Sequence, residues 1–264
     1  MTKGDDPRTG LTDPNRQSAE APERLPWLVE PVEANGVCVT RAPGAENDLG
    51  ALTAAVADIV GRSPGERILL GISGAPGAGK STLAWHLCET LEAAGVRAAR
   101  VPMDGFHLSD AMMESLGRRN RKGAIDTFDG WGYLALLRRL KAERDHPVYA
   151  PDFERVIEQP IAAGLAVAPD CQVVVTEGNY LLAPDEPWRG VRDVLTEIWH
   201  CTLDDAERHR RLVRRHIRSG KAPAAAEAWV NEVDETNALQ IGAWTGRADR
   251  IIDTGALGLS AGRD

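Results

Sequence analysis

The sequence predicts a three-layer α/β fold: a mainly parallel central sheet with helices on both faces. Three observations carry that expectation. Short apolar runs of strand length alternate along the chain with longer stretches of helical periodicity. Residues 171–176 are nearly continuous in valine, as in a strand covered on both faces. Between an apolar run and a helical stretch lies Gly74-Ala75-Pro76-Gly77-Ala78-Gly79-Lys80-Ser81, followed by Thr82. Its spacing of glycine, four residues, glycine, lysine and serine is that of a phosphate-binding loop, and the flanks are the ones such a loop requires.

Taken in order, residues 1–25 are rich in Pro, Asp, Arg, Thr and Gln, which predicts a disordered tail. Residues 26–47 form an extension of uncertain structure, in which Gly36-Val37-Cys38-Val39-Thr40 reads as a short edge strand. The main domain is expected over 48–255, with a C-terminal tail at 256–264. A helix over 48–61 carries Leu49, Leu52, Val56 and Ile59 on one face, capped by Asn47 or Asp48. A strand at 67–72 and a helix at 80–94, ended by Gly95, flank the glycine-rich loop. A second strand at 96–101 delivers Met103-Asp104-Gly105-Phe106-His107 at its carboxyl end, where open parallel sheets bind ligands.

Helices are expected at 109–118 and 130–143, joined by the loop 122–129. Residues 147–168 alternate apolar and polar around Pro151, Pro160 and Gly164, as an exposed hairpin does. The valine-rich strand ends in Glu177-Gly178-Asn179-Tyr180. A strand at 197–203, an arginine-laden helix at 204–219, a helix at 223–241 and a last strand at 250–252 complete the domain. No internal repeat is visible.

At 264 residues the chain is long enough for one large α/β domain. Its net charge of −8 argues against a broad nucleic-acid footprint. Cys38, Cys88, Cys171 and Cys201 are scattered without metal-ligand spacing and read as thiols of a reducing compartment. No apolar run approaches a membrane span, and the N-terminus lacks the basic and apolar regions of a signal peptide. A cytoplasmic protein with no nucleic-acid or membrane partner is expected. A homodimer is compatible with the chain but not required by it.

The loop residues imply their own chemistry. Glycines let the backbone approach an anion, and the N–H groups with the positive end of the helix face its phosphates. Lys80 reaches toward the β and γ phosphates, and the Ser81 hydroxyl is a magnesium ligand candidate. Asp104 is placed to accept the proton of a substrate hydroxyl; the alternative is a turn or cap aspartate. Glu177, at the end of a buried strand, is placed for a second magnesium contact or to orient water; the alternative is an ordinary strand-end carboxylate. Arg208, Arg211 and Arg215 share one helix face, either as a clamp on ATP phosphates or as a solvated basic face paired with Asp204, Asp205 and Glu207. His107 touches substrate, orients Asp104, or is a wall residue. Asn179 and Tyr180, following Glu177, are further substrate-side candidates.

Taken together these stretches resemble the P-loop kinases of the uridine kinase, type I pantothenate kinase and phosphoribulokinase superfamily. Within it they are most similar to bacterial nucleoside/nucleotide kinase family and fructose-transport-system kinase-like proteins. The resemblance runs over about 50–255. It is carried by Gly-Ala-Pro-Gly-Ala-Gly-Lys-Ser-Thr at 74–82, Pro-Met-Asp-Gly-Phe-His-Leu at 102–108 and Lys-Gly-Ala-Ile-Asp-Thr-Phe-Asp at 122–129. Tyr-Ala-Pro-Asp-Phe-Glu-Arg at 149–155 and Thr-Glu-Gly-Asn-Tyr-Leu-Leu at 176–182 complete it. It implies the P-loop NTPase fold, ATP and Mg2+ as cofactors, and a hydroxyl-bearing small molecule as acceptor: nucleoside, pantothenate-like or sugar. It further implies that Asp104 is the catalytic aspartate, Glu177 the glutamate near magnesium, and Arg211, with Arg208 and Arg215, arginines of a mobile lid at 204–221. Asp126, Phe153 and Arg155 fall where relatives line the acceptor pocket. The chain departs from its relatives at Ile125, where proline is common, and at Glu154, where aspartate is common. The competing functional class is a nucleotide-dependent switch or partner-stimulated ATPase with no small-molecule acceptor. The chain has no Asn-Lys-x-Asp guanine-reading segment.

Overall fold

A computed structural model describes residues 48–259. The expectations for the tail at 1–25, the extension at 26–47 with its edge strand and Cys38, and residues 260–264 lie outside the described residues.

Five parallel strands form the central sheet: β1 (Ile68–Gly74), β2 (Ala98–Pro102), β5 (Val173–Glu177), β6 (Glu197–Thr202) and β7 (Arg250–Asp253). They lie side by side in the order β2-β5-β1-β6-β7. A separate antiparallel pair, β3 (Val148–Glu154) with β4 (Gln159–Val167), is the hairpin that the alternation at 147–168 announces.

Strand parity divides the core. Successive strand side chains point to opposite faces. Ile68, Leu70 and Ile72 of β1, with Val173 and Val175 of β5, face α1 (Leu49–Arg62) and α2 (Lys80–Ala93), where Leu52, Val56, Leu83, Leu87 and Leu91 are buried. Leu69 and Val174 face the other way, onto α4 (Gly130–Ala142), α5 (Trp188–Val194) and α8 (Glu235–Gly242), through Tyr133, Leu137, Val191 and Ile241. Helices on both faces give the three layers of the P-loop NTPase fold. Each fully buried Leu or Ile of these layers contributes about 1.5–3 kcal/mol.

Local signals set the helix ends. Asp48 caps α1, its Oδ1 accepting the Gly50 N–H at 3.0 Å. Asp204 caps α6 (Asp205–Arg218) through the Glu207 N–H at 3.0 Å. Gly95 follows α2 at φ +80°, a conformation open to glycine. The helix expected at 109–118 is confined to α3 (Asp110–Ser115). The helix expected over 223–241 is interrupted: α7 (Pro223–Trp229) passes into α8 through a π-helical turn at Val230–Asp234. The short α5 is added by the structure: Trp188 and Val191 are buried one turn apart, but seven residues are too few to establish a period.

Arg67 joins distant parts of the fold. It is 1% exposed, and its guanidinium donates to the carbonyls of Cys171, Leu140, Glu143, Ala168 and Pro169. Among the described residues no helix is long and apolar enough to cross a membrane.

Candidate active site

Strand register brings the chemistry to one edge. Ile72 of β1 pairs with Glu177 of β5, and Glu177 with Pro102 of β2. The carboxyl ends of three adjacent strands therefore carry the phosphate loop, Glu177 and Asp104 side by side.

The loop keeps its shape through two glycines. Gly77 has φ +78°, and a Cβ there would lie 2.8 Å from Leu212 Cγ and 3.1 Å from the Arg208 carbonyl oxygen. Gly79 caps α2 at φ +86°, with Thr254 against the position a Cβ would take. The Thr254 hydroxyl donates to the Ala78 carbonyl at 2.8 Å, so the turn after β7 braces the loop from behind. Lys80 Nζ donates to the Ala75 carbonyl at 3.0 Å across the loop. Ala75, Pro76 and Ala78 complete the turn between β1 and α2.

Ser81 Oγ donates to Glu177 Oε1 at 3.0 Å, and Arg100 Nη1 lies 3.7 Å from the same oxygen. Burial raises the Glu177 carboxyl above its ordinary range and the Asp104 charge adds to this; Lys80, Arg100 and the Ser81 hydroxyl pull the other way. For Asp104 burial also acts upward, but the charges of His107, Arg155, Lys80 and Arg215 outweigh it and hold the carboxyl below its usual range. Burial lowers the Lys80 ammonium, against the pull of Glu177 and Asp104. The result is an ionised Asp104 beside a lysine, at the mouth of a loop shaped for an anion.

His107 Nδ1 lies 2.9 Å from the Asp104 carbonyl oxygen. A carbonyl only accepts, so Nδ1 carries the hydrogen. Burial lowers the ring's proton affinity, against the Asp104 carboxylate, which raises it. The ring sits between Phe128 and Phe153, tilted against both, with centroids 4.0 and 5.0 Å away.

A cleft of about 290 Å³ opens on these groups, lined by Ser81, Thr82, Asp104 and Glu177, by Trp85, Arg100 and Pro102, and by residues 152–155 of the hairpin. Phe153 and Arg155 are among its lining residues. Trp85 and Arg100 had not been singled out. Trp85 lies one helical turn beyond Ser81, on the same face of α2, a spacing that was available in the sequence.

Other candidates lie elsewhere. Asp126 is ion-paired with Arg118 at 3.3 Å and with Arg121, and does not line the cleft. Tyr180 is fully buried, its hydroxyl donating to the Gly123 carbonyl at 2.6 Å. Asn179 is half-buried and not among the lining residues.

The three arginines of α6 separate in role. Arg211 Nε donates to Glu207 Oε1 at 2.8 Å on the exposed face. Arg208 is buried against the loop; Nη2 meets Glu235 at 2.6 Å and Asp205 at 3.3 Å, while Nη1 has no partner among the described residues. Arg215 projects its charge onto both Lys80 and Asp104. A second hollow, between α6 and α7, is lined by His209, Arg210, Val213, Arg214, Ile217 and Glu227 and by no residue of the loop.

The donor set suits magnesium. Among the described residues no cluster of three or more His, Cys, Asp or Glu could hold a metal by itself. The hydroxyl of Ser81 and the carboxylate of Glu177 are hard oxygen donors 3.0 Å apart beside the loop. That suits an ion which keeps most of its ligands as water and nucleotide phosphate.

No protein-family model matches the chain. It is 31% identical over 185 residues to a Schizosaccharomyces pombe protein provisionally named a uridine kinase, over 67% of this chain and 77% of that one. It is 35% identical over 148 residues to an Aspergillus versicolor protein named as ATP-dependent kinase-like, over 53% of this chain and 86% of that one. Among solved structures, a Silicibacter sp. TM1040 protein provisionally named a fructose transport system kinase superposes with a TM-score of 0.70 at 38% identity. That match covers 77% of this chain and 98% of the other.

Proposed function

The chain belongs to the P-loop kinases of the uridine kinase family, and on that premise we propose that it transfers the γ-phosphate of ATP to a hydroxyl of a small molecule, with Asp104 as the base. The observation that carries the reading is the meeting of Ser81, Glu177 and Asp104 in one cleft at the aligned ends of β1, β5 and β2, directly after the loop that ends in Lys80.

In this reading the loop amides from Gly74 to Thr82 cradle the phosphates, and Lys80 exchanges its contact with the Ala75 carbonyl for their oxygens. Ser81 and Glu177 would hold Mg2+, which would supply neutralisation of charge on the phosphates. The acceptor hydroxyl enters the cleft and gives its proton to Asp104. Its oxygen forms a new bond to the γ-phosphorus as the bond from that phosphorus to the β–γ bridging oxygen breaks. The electron pair of that bond leaves with ADP. Lys80, Arg215 and the unpartnered Nη1 of Arg208 face the charge that develops. His107 holds the turn bearing Asp104 through its hydrogen bond to the Asp104 carbonyl. Residues 204–221 serve as the lid, excluding water when closed.

The test is ADP release by the full chain with Mg2+ and ATP, in the presence and absence of candidate alcohols. The reading predicts that one class of alcohol raises ADP release well above background hydrolysis and is itself recovered phosphorylated. ATP turnover that no alcohol stimulates and only a protein partner raises would contradict it and favour a partner-stimulated ATPase.

A further inference from the structure

Most arginines among the described residues are matched, and apart from Arg155 those without a side-chain hydrogen bond or ion pair (Arg138, Arg214, Arg215, Arg218 and Arg247) do not line the cleft. Arg62 pairs with Asp58, Arg97 with Asp170, Arg139 with Glu143 and Arg192 with Asp249. Arg155 lines the cleft, yet it makes no hydrogen bond or ion pair with any described residue. The acids beside it are turned to their own backbone. Asp152 Oδ1 accepts the Phe153 N–H at 2.9 Å, and Glu154 Oε1 accepts the Val156 N–H at 3.0 Å. Neighbouring Lys122 is likewise engaged, with Asp110 at 3.0 Å and the Glu158 carbonyl at 2.5 Å.

Arg155 therefore brings to the cleft a guanidinium whose N–H donors are unused, beside the carboxylates of Asp104, Asp152, Glu154 and Glu177 in the same lining. Arg155 is exposed where the β3–β4 turn meets the cleft, and its charge acts on Asp104. Arg100 adds a second guanidinium among the lining residues, only loosely held by Glu177 at 3.7 Å. Trp85 and Phe153 supply apolar wall. The volume of about 290 Å³ equals about ten waters. The transferred phosphoryl group occupies part of it, which leaves room for a compact acceptor.

Building on the kinase reading, we infer that the phosphate acceptor is a small alcohol bearing an anionic group, a carboxylate or a phosphate ester, which Arg155 holds while Trp85 and Phe153 enclose its carbon skeleton. A guanidinium fork matches either anion with two parallel N–H···O bonds. The same contact fixes the distance between the anionic group and the hydroxyl facing Asp104. Arg155 is a specificity-determining residue in this scheme, and Asp104 remains the base.

The experiment compares matched charged and neutral acceptors: glycerate with glycerol, pantothenate with pantothenol, and ribose 5-phosphate with ribose. Uridine and fructose are added as neutral acceptors of other shapes. Full-chain protein, wild type, Arg155→Met and Arg155→Lys, is assayed with Mg2+ and ATP for phosphorylated product. The charged member of the productive pair is expected to exceed its neutral partner by about 10- to 100-fold in kcat/KM. The productive pair also tells carboxylate from phosphate ester. Arg155→Met raises KM for that acceptor by a similar factor and leaves KM for ATP unchanged; Arg155→Lys restores part of the loss.

Equal or better use of a neutral acceptor overturns the assignment. So does an Arg155→Met variant that raises KM for ATP and slows every acceptor alike, since Arg155 would then serve the nucleotide. Calorimetric titration of the six pair members into protein with Mg2+ and ADP decides the matter if none turns over. Tighter binding of a charged member, lost in Arg155→Met, supports the anion site; no difference overturns it. Failure of the kinase reading is separate: neither these alcohols nor uridine nor fructose is then recovered phosphorylated.

Discussion

His200 gives a prediction whose size follows from its surroundings. It lies on β6 opposite Ser73 of β1, 4% exposed. Its Nε2 is 3.2 Å from Thr245 Oγ1, and its Nδ1 has no partner among the described residues. Burial, with a further push from Lys80, lowers it from 6.5 to about 4. A histidine whose folded value lies below its unfolded value is protonated first in the unfolded chain. Its cost is therefore absent above pH 6.5 and grows as pH falls toward 4. At about 1.4 kcal/mol per pH unit, the loss reaches roughly 2–3 kcal/mol by about pH 4.5. The perturbation is His200→Gln, which removes the titration. The assay is urea unfolding of both proteins at about pH 7.5 and about pH 4.5. Glutamine imposes its own cost at every pH, so the quantity read is the change in the difference between the proteins. Wild type should lose roughly 2–3 kcal/mol more than the variant on acidification. Parallel losses would refute the reasoning, because His200 would then titrate alike folded and unfolded.

Other predictions follow from single contacts. Arg67→Met strips a buried guanidinium from five carbonyls and should cost about 3–5 kcal/mol, read as a lower unfolding midpoint. Arg215→Met should lower kcat at least about tenfold, since Arg215 projects charge onto Lys80 and Asp104. Arg211→Met should stay within about twofold of wild type, because the exposed Arg211 is paired with Glu207 on its own helix. Equal losses from the two variants would show that α6 moves both arginines into the site.

The sequence was most informative where backbone conformation and chemistry coincide. Only a turn built of Gly77 and Gly79 suits the observed positive φ values, so the loop could be read directly. Strand periodicity then placed Asp104 and Glu177 at strand ends, and parallel register did the rest. What periodicity cannot give is the partner of a charge. Asp126 and Arg211 lie in promising segments, but Arg118, Arg121 and Glu207 lie within reach along the chain and claim them. Tyr180 follows Glu177 closely, yet its large ring is drawn into the aromatic cluster with Phe128, Trp188 and Trp244. Arg100 was hidden for the opposite reason: a charged residue within a short strand reads as an edge position until the fold shows a cleft beside it. The π-helical turn at Val230–Asp234 is hidden because the next positions buried after Val230 are Asp234 and Asn237, which carry no apolar signal.

The account stands on Asp104 as the group that takes the acceptor's proton. Asp104→Asn keeps the side chain's size and removes its basicity. With a phosphorylatable acceptor in hand, single-turnover transfer by this variant should fall about 10²- to 10⁴-fold while the affinity for magnesium and ATP stays within about threefold. Transfer at the wild-type rate with the nucleotide equally bound would contradict it.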